Sequence, residues 1–100
     1  MTEPTLDDVF SPSPRIVARA VGGDFVLVPL ASHAAVIDSI YWLNETAAFV
    51  WQQLDGVRDG HQVVAAVVAR FEVEPAQGEA DYLELVVDLL SLEALERRAR

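Results

Sequence analysis

The first half of the chain contains short apolar runs of the length and composition of β-strands. Arg15–Val21 and Phe25–Leu30 are rich in β-branched and aromatic residues, which predicts two strands. Between them lies the Gly-Gly-Asp sequence Gly22–Asp24, which is typical of a hairpin turn because such turns need residues that readily adopt a positive φ. Val36–Leu43 has the same character and predicts a third strand. The three segments together indicate an antiparallel meander.

After the third predicted strand the apolar residues change to a helical period. They recur at i, i+3, i+4 and i+7, at Ala47, Val50, Trp51 and Leu54. This spacing predicts a first helix from about Glu45 to Asp55. The polar residues Asn44–Thr46 can accept hydrogen bonds from the free amides at its start, and Gly56 suits the turn at its end. Trp51 is expected to anchor the core, whereas the place of Trp42 stays open.

Two further helices are predicted in the second half of the chain. An apolar stripe from Val63 to Phe71 predicts a second helix of about ten residues, with Asp59 as its N-cap. Valine is a poor helix former, so this helix must depend on packing. Pro75 interrupts the chain and opens a third helix, from about Ala76 to Leu90.

Three strands followed by three helices predict an α+β fold that resembles a winged helix-turn-helix. The predicted elements run from Arg15 to about Leu90, residues 91–100 could continue or restart the last helix, and one domain is expected over residues 15–95. Residues 1–14 contain three of the five prolines and little periodicity, which favours a flexible arm over the alternative that Val9 and Phe10 dock on the body. Residues 96–100 are expected to form a C-terminal tail.

The third helix is apolar on two sides. Two overlapping sets follow the helical spacing: Leu83, Val86, Val87 and Leu90 in one, and Tyr82, Leu85, Val86 and Leu89 in the other. Together they are wider than a single core contact needs. Either the helix is central and packs on both sides, or its second side lines a groove for an apolar partner. Glu84 and Asp88 are predicted to form a solvated strip on the opposite face.

The third predicted strand also allows two interpretations. It is an outer strand of the meander unless a helix covers it, and an open edge offers unpaired N–H and C=O groups to an extended peptide. Its apolar residues could equally belong to the core alone. Asp38 and Ser39 would then be the polar interruption that keeps the edge from pairing with another copy.

Composition and charge exclude several classes of partner. The chain of 100 residues has a net charge of −9 and no lysine, and its first ninety residues hold four arginines against fourteen acidic residues. Such a surface repels nucleic acid and anionic lipid, so neither is expected as a partner. The absence of cysteine fits a reducing compartment, and we see no signal peptide or membrane-span-length apolar run, so a cytoplasmic location is expected.

No catalytic or metal-binding constellation stands out in the sequence. His33 and His61 are isolated from each other and from any acidic pair with ligand spacing. No nucleophile signature surrounds Ser39 or Ser91. Gly22–Asp24 is too short to cradle a phosphate. We therefore expect a protein that is not an enzyme and that uses no cofactor or metal.

The segment IYWLNETAAFVWQQLDG, residues 40–56, resembles the PqqD family of small peptide-binding proteins, also called RiPP recognition elements. The family pattern is a strand ending in an aromatic residue, then Leu-Asn-Glu-Thr, a helix with a Trp, and Leu-Asp-Gly. Here these are Tyr41, Leu43–Thr46, Trp51 and Leu54–Gly56. The resemblance spans about residues 15–95. One departure is Glu93, at a position where the family commonly has Gly.

This resemblance implies a non-catalytic chaperone of peptide modification. Such a protein captures the leader segment of a ribosomally made precursor peptide for a modifying enzyme, often a radical-SAM protein. In the family, the leader adds as a strand to the third strand and lies in a groove against the third helix. By position, the strand residues are Val36, Ile37, Asp38, Ser39, Ile40 and Tyr41, and the apolar pocket residues are Tyr82, Leu85, Val86 and Leu89.

Two alternatives to leader binding remain. A winged-helix transcription factor should have a basic recognition helix, whereas the third predicted helix carries four acidic residues and no Lys or Arg. A structural homodimer would bury the same strand edge and helix against a second copy.

Overall fold

The computed structural model describes residues 3–29 and 41–98, which form five strands and three helices. Their order is β1 Val9–Pro12, β2 Ile16–Val21, β3 Asp24–Pro29, β4 Tyr41–Leu43, α1 Glu45–Gln53, α2 Gly60–Phe71, α3 Pro75–Ser91 and β5 Leu95–Arg98. Within these ranges β2, β3 and β4 form one antiparallel sheet, and β1 pairs with β5 in a second. The predicted α+β fold, with a three-stranded sheet and three helices, is confirmed. No helix of the described part has the length and hydrophobicity needed to cross a membrane.

The β2–β3 hairpin is the predicted one, and its turn lies at the two glycines. Gly22 has a φ of +62°, the conformation that glycine adopts at little cost. The register on the other side of β3 places Phe25 opposite Leu43 and Leu27 opposite Tyr41. Of the third predicted strand, the end at Tyr41–Leu43 is present as β4, and residues 36–40 lie outside the described residues.

Both predicted N-caps are present. The Asn44 side chain accepts a hydrogen bond of 2.8 Å from the Ala47 backbone N–H at the start of α1. At the start of α2, the Asp59 carboxylate accepts from the Gln62 N–H at 3.0 Å, and the Gln62 side chain accepts from the Asp59 N–H at 2.9 Å. This reciprocal pair is a capping box. It fixes where α2 begins, immediately after the turn that follows α1.

The core lies between the three-stranded sheet, the helices and β1. Its largest fully buried side chains are Phe10, Leu27, Leu54, Val63, Tyr82, Val86 and Leu89. Trp51 on α1 is buried in the same cluster, as expected of a core anchor. α3 supplies three of these residues, so its position is fixed by packing against the rest of the core.

The prediction of a flexible arm over residues 1–14 is wrong for Val9–Pro12, and that of a tail over residues 96–100 is wrong for residues 96–98. These segments pair as β1 and β5, with Val9 opposite Arg98 and Pro12 opposite Leu95. Phe10 is completely buried, and its carbonyl accepts a hydrogen bond of 2.9 Å from the Gly56 N–H. Such pairing joins opposite ends of the chain, so no local periodicity could indicate it.

The segment before β1 packs against the start of α2. The Leu6 carbonyl accepts a hydrogen bond of 3.2 Å from the His61 N–H. A Cβ atom on the neighbouring Gly60 would lie 2.8 Å from the Leu6 Cα and 2.9 Å from Cε2 of Tyr82. Glycine is therefore required here by the close approach of two backbones and a core aromatic ring.

We expect Gly60→Ala to lower the free energy of unfolding by about 1–3 kcal/mol, because the added methyl group must displace backbone atoms or Tyr82. Urea denaturation measures the change. Gly23→Ala is the matched control, since nothing lies within 4 Å of its Cβ position, and it should change stability by less than about 0.5 kcal/mol. Equal losses in the two variants would contradict the close packing at Gly60.

The end of α3 explains the departure noted at Glu93. Glu93 has a φ of +57°, in the left-handed region, and the Ala94 N–H donates to the Leu89 carbonyl at 2.9 Å. The Glu93 N–H donates to the Leu90 carbonyl at 3.0 Å. These two bonds form a Schellman motif, whose left-handed position favours glycine. The motif forms here in spite of a side chain that is unfavourable at that position.

Glu93→Gly should stabilise the fold by about 0.5–1 kcal/mol. The left-handed strain of a non-glycine residue is about 1–2 kcal/mol, and the extra flexibility of glycine in the unfolded chain offsets part of it. Thermal or urea unfolding measures the gain. Glu79→Gly, within α3, is the control and should cost about 1 kcal/mol. A loss of stability in Glu93→Gly would show that the side chain has a compensating role.

Candidate functional site

A cleft of about 320 Å³ lies between β4, the start of α1 and one side of α3. Its walls contain Tyr41, Trp42, Asn44, Thr46, Ala47, Val50, Val67, Gly78, Asp81, Tyr82, Glu84, Leu85 and Asp88. The capped junction between β4 and α1 holds the strand wall in place against the helical wall. A strand edge and a helix therefore border the same cleft.

The strand wall has an open edge. Among the described residues β4 pairs with β3 on one side and with no strand on the other. Tyr41 and Leu43 share one face of β4, and Leu43 is buried in the core. Trp42 lies on the alternate face and is 59% exposed, so the open question about its place is settled. The edge thus offers backbone groups to an added strand, with aromatic residues on both of its faces.

The helical wall is built around Leu85. Tyr82 is buried and forms part of the cleft, whereas Leu85 is only partly buried beside it. Val86 and Leu89 are fully buried. The interpretation of these last two as pocket residues therefore needs correction: they belong to the core and support the wall from behind. Most of the second apolar side of α3 is therefore core, because the helix is central and packs on both sides.

The predicted strand residues Val36, Ile37, Asp38, Ser39 and Ile40 lie outside the described residues. Of the ten residues predicted for the site, the structure brings three together in the cleft, namely Tyr41, Tyr82 and Leu85.

Sequence reasoning missed the acidic part of the wall. Glu84 and Asp88 are exposed, as predicted, but they line the cleft together with Asp81 instead of forming a separate face. The Tyr41 hydroxyl donates a hydrogen bond of 3.3 Å to Asp88 and so connects the two walls. The spacing could have revealed this, because Asp81 and Asp88 lie at i−4 and i+3 from Leu85, one helical turn to either side.

Both tyrosines of the cleft hold their protons more tightly than a free tyrosine does. Burial raises the pKa of Tyr41, and the negative charge of Asp88, its hydrogen bond and the charge of Glu84 raise it further. Burial, followed by the charges of Asp59 and Asp8, raises the pKa of Tyr82 to about 12. The pKa shift of Tyr41 thus reflects burial and the negative charge of the carboxylates that line the cleft, whereas that of Tyr82 reflects mainly its burial in the core.

The cleft presents apolar, aromatic and carboxylate groups suited to binding. Within residues 3–29 and 41–98, no three His, Cys, Asp or Glu side chains come together as a metal site. His61 pairs with Asp7 at 3.0 Å, outside the cleft, and His33 lies outside the described residues. A strand edge beside a helix face is an arrangement to which extended peptides bind in other proteins.

Fold and cleft together define a small α+β domain that presents an open strand edge beside a helix. The family model for coenzyme PQQ synthesis protein D (PqqD) matches residues 24–95, and the chain belongs to this family. A solved structure described as TbiB1 in complex with the TbiA(beta) leader peptide has a similar fold, with a TM-score of 0.72 and 21% sequence identity. The match covers 90% of this chain and 99% of the TbiB1 chain. No curated protein matches the sequence.

The tyrosine pKa shifts predict a pH dependence of stability. Because the pKa of Tyr82 is raised from 10.0 to about 12, the folded protein keeps a phenol proton that the unfolded chain has already lost. This contribution to stability is complete below about pH 10 and disappears as the pH rises to about 12. We expect urea stability to fall across this interval, and to fall less in Tyr82→Phe.

Absorbance at 295 nm gives an independent measurement, because tyrosinate absorbs there and the chain has two tyrosines. Little tyrosinate should form in the folded protein at pH 10. Half-ionisation of both tyrosines at that pH, with the fold intact, would contradict the buried environment of Tyr82.

Proposed function

We propose that this protein binds the leader segment of a ribosomally made precursor peptide and holds it for a modifying enzyme, with no chemistry of its own. The open edge of β4 beside the cleft, in a chain of the PqqD family, is the observation that carries this proposal. The TbiB1 structure of similar fold, which contains a leader peptide, supports it.

In the proposed complex the leader adds as an extended strand to the free edge of β4. Its backbone pairs with Tyr41 and Leu43, and the proposed pairing continues along residues 36–40. Alternate side chains of an added strand point to opposite faces. One set faces α3, where Leu85 offers apolar contact in front of the buried ring of Tyr82, and the other set passes Trp42. Main-chain pairing would supply affinity and these side-chain contacts would supply selectivity.

The modifying enzyme is the second proposed partner, and a radical-SAM protein is the type that the family resemblance favours. In this role the domain contributes recognition alone. The reacting groups belong to the enzyme, and the leader is held at a site distinct from the residues to be modified. A cytoplasmic location is part of the same proposal, since precursor and enzyme would meet there.

A transcription factor is disfavoured by the exposed side of α3. Asp81, Glu84 and Asp88 lie on it, and α3 has no Lys or Arg. These carboxylates would face the phosphate backbone of a duplex and repel it. A homodimer formed through β4 and α3 is the other alternative, and it would use the surface proposed for the leader.

Titration calorimetry with leader segments of short precursor peptides encoded beside the gene tests the proposal. We expect binding that Leu85→Glu weakens about tenfold or more, since the variant puts a charge where apolar surface is buried. Val87→Glu is the matched control: Val87 is on the same helix, is 50% exposed and does not line the cleft. It should bind normally.

Unchanged affinity in a folded Leu85→Glu protein would contradict the site, and no binding to any neighbouring leader would contradict the function. Light scattering completes the test, because a dimer that Leu85→Glu dissociates, without peptide affinity, identifies the structural alternative. Substitution of the fully buried Leu89 by Asp is a poor probe, since it would place an unpaired charge in the core and unfold the protein.

A further inference from the structure

The charge of the cleft carries information about the peptide that fills it. Asp81, Glu84 and Asp88 line the cleft, and none of its lining residues is Lys, Arg or His. The salt bridges seen in the described part involve other acidic residues, namely Asp55, Asp7, Asp8 and Glu96. Asp81 and Asp88 accept hydrogen bonds from neutral groups, Gln77 and the Tyr41 hydroxyl. Three carboxylates thus face the cleft with no cation beside them in the described structure.

In its described part, the strand wall of the cleft does not compensate for this charge. β4, Tyr41–Leu43, contains no charged residue. Burial and the nearby charges of Asp88 and Glu84 also raise the pKa of the Tyr41 hydroxyl, as a negative environment should. An acidic peptide added to β4 would meet like charge along the helix, whereas a basic peptide would meet opposite charge.

The spacing of the carboxylates matches that of side chains on an extended peptide. Asp81 and Asp88 are seven residues apart on α3, or about 10.5 Å along its axis at 1.5 Å per residue. Leu85 lies between them on the same stripe. Side chains on one face of a strand repeat every 6.6 Å or so. Lys or Arg residues placed two positions before and two positions after an apolar residue of the peptide would lie on the same face of it. Their long side chains can then reach Asp81 and Asp88 while the apolar residue packs on Leu85.

We propose that the leader recognised by this protein is basic on its α3-facing side, with Lys or Arg flanking an apolar residue that packs on Leu85. The inference rests on the proposed leader-binding function and specifies its substrate class. It also predicts that association depends on ionic strength, because the exposed charges are screened as salt is added.

A display library of random peptides of about a dozen residues, selected on the full-length protein, tests the proposal without knowledge of the natural leader. Peptides that bind the protein but not Leu85→Asn, a polar variant that adds no charge, are kept and sequenced. We expect enrichment of Lys and Arg two positions from an apolar residue. One selected peptide is then synthesised and its affinity is measured by calorimetry. At low salt, Asp81→Asn and Asp88→Asn should each bind it about two- to fivefold more weakly than the wild-type protein does.

The variants are chosen to separate charge from shape. Asparagine keeps the size of the side chain and, at position 88, an oxygen that accepts from Tyr41. Glu79→Gln is the control, since Glu79 is an exposed acid on the same helix that does not line the cleft. It should leave affinity nearly unchanged, and added salt should weaken wild-type binding more than binding to the doubly neutralised protein.

Two results would overturn the proposed charge preference, and only one of them would also overturn the proposed peptide-binding function. Leu85-dependent peptides without basic residues, bound equally well by Asp81→Asn and Asp88→Asn, would refute the charge preference and retain the peptide-binding function. A failure to select any Leu85-dependent peptide would refute both.

Discussion

The burial of one face of α3 is the constraint on which the rest of this structure depends. In a chain of 100 residues the core is small, and α3 contributes Tyr82, Val86 and Leu89 to it. The Schellman motif ends the helix and leads into β5, which β1 holds in place. Because that face is buried in the core, the side of α3 around Leu85 faces β4. The cleft is a consequence of how the core is filled.

An open strand edge is a hazard for a soluble protein, because it can pair with another copy of itself. The surroundings of β4 oppose such pairing. Carboxylates line the adjacent wall, and the whole chain carries a charge of −9. Two copies that approach through this edge would bring their acidic walls together. The same charges that discourage self-association are compatible with a partner of opposite charge, so protection of the edge and selection of a ligand have one physical origin.

The sequence was sufficient for the elements whose signals are local. The Gly22 turn, the Asn44 and Asp59 caps and the apolar stripe with Trp51 all depend on residues a few positions apart. The β1–β5 pair depends on contacts between opposite ends of the chain, for which short segments carry no periodic signal. In α3 the pattern showed two apolar sides but could not decide which was core, since Leu85 and Leu89 are chemically identical and differ only in their neighbours. The spacing placed Asp81 and Asp88 one turn to either side of Leu85, but the sequence could not show that this stripe lines a cleft, because that depends on what packs beside it.

The pairing of β1 with β5 brings Val9 opposite Arg98, so the first and last strands of the described chain lie side by side. The β2–β3 turn, by contrast, is exposed, and a Cβ atom added at either of its glycines would have no neighbour within 4 Å. A circular permutant follows directly from this geometry: a short flexible linker joins the old termini, and new ones open between Gly22 and Gly23. Tyr41, Leu85 and Asp88 would then stay on one uninterrupted segment. A domain fused at the new ends would be attached to the β2–β3 turn instead of to the β1–β5 pair, so the point at which a fused partner is held can be chosen.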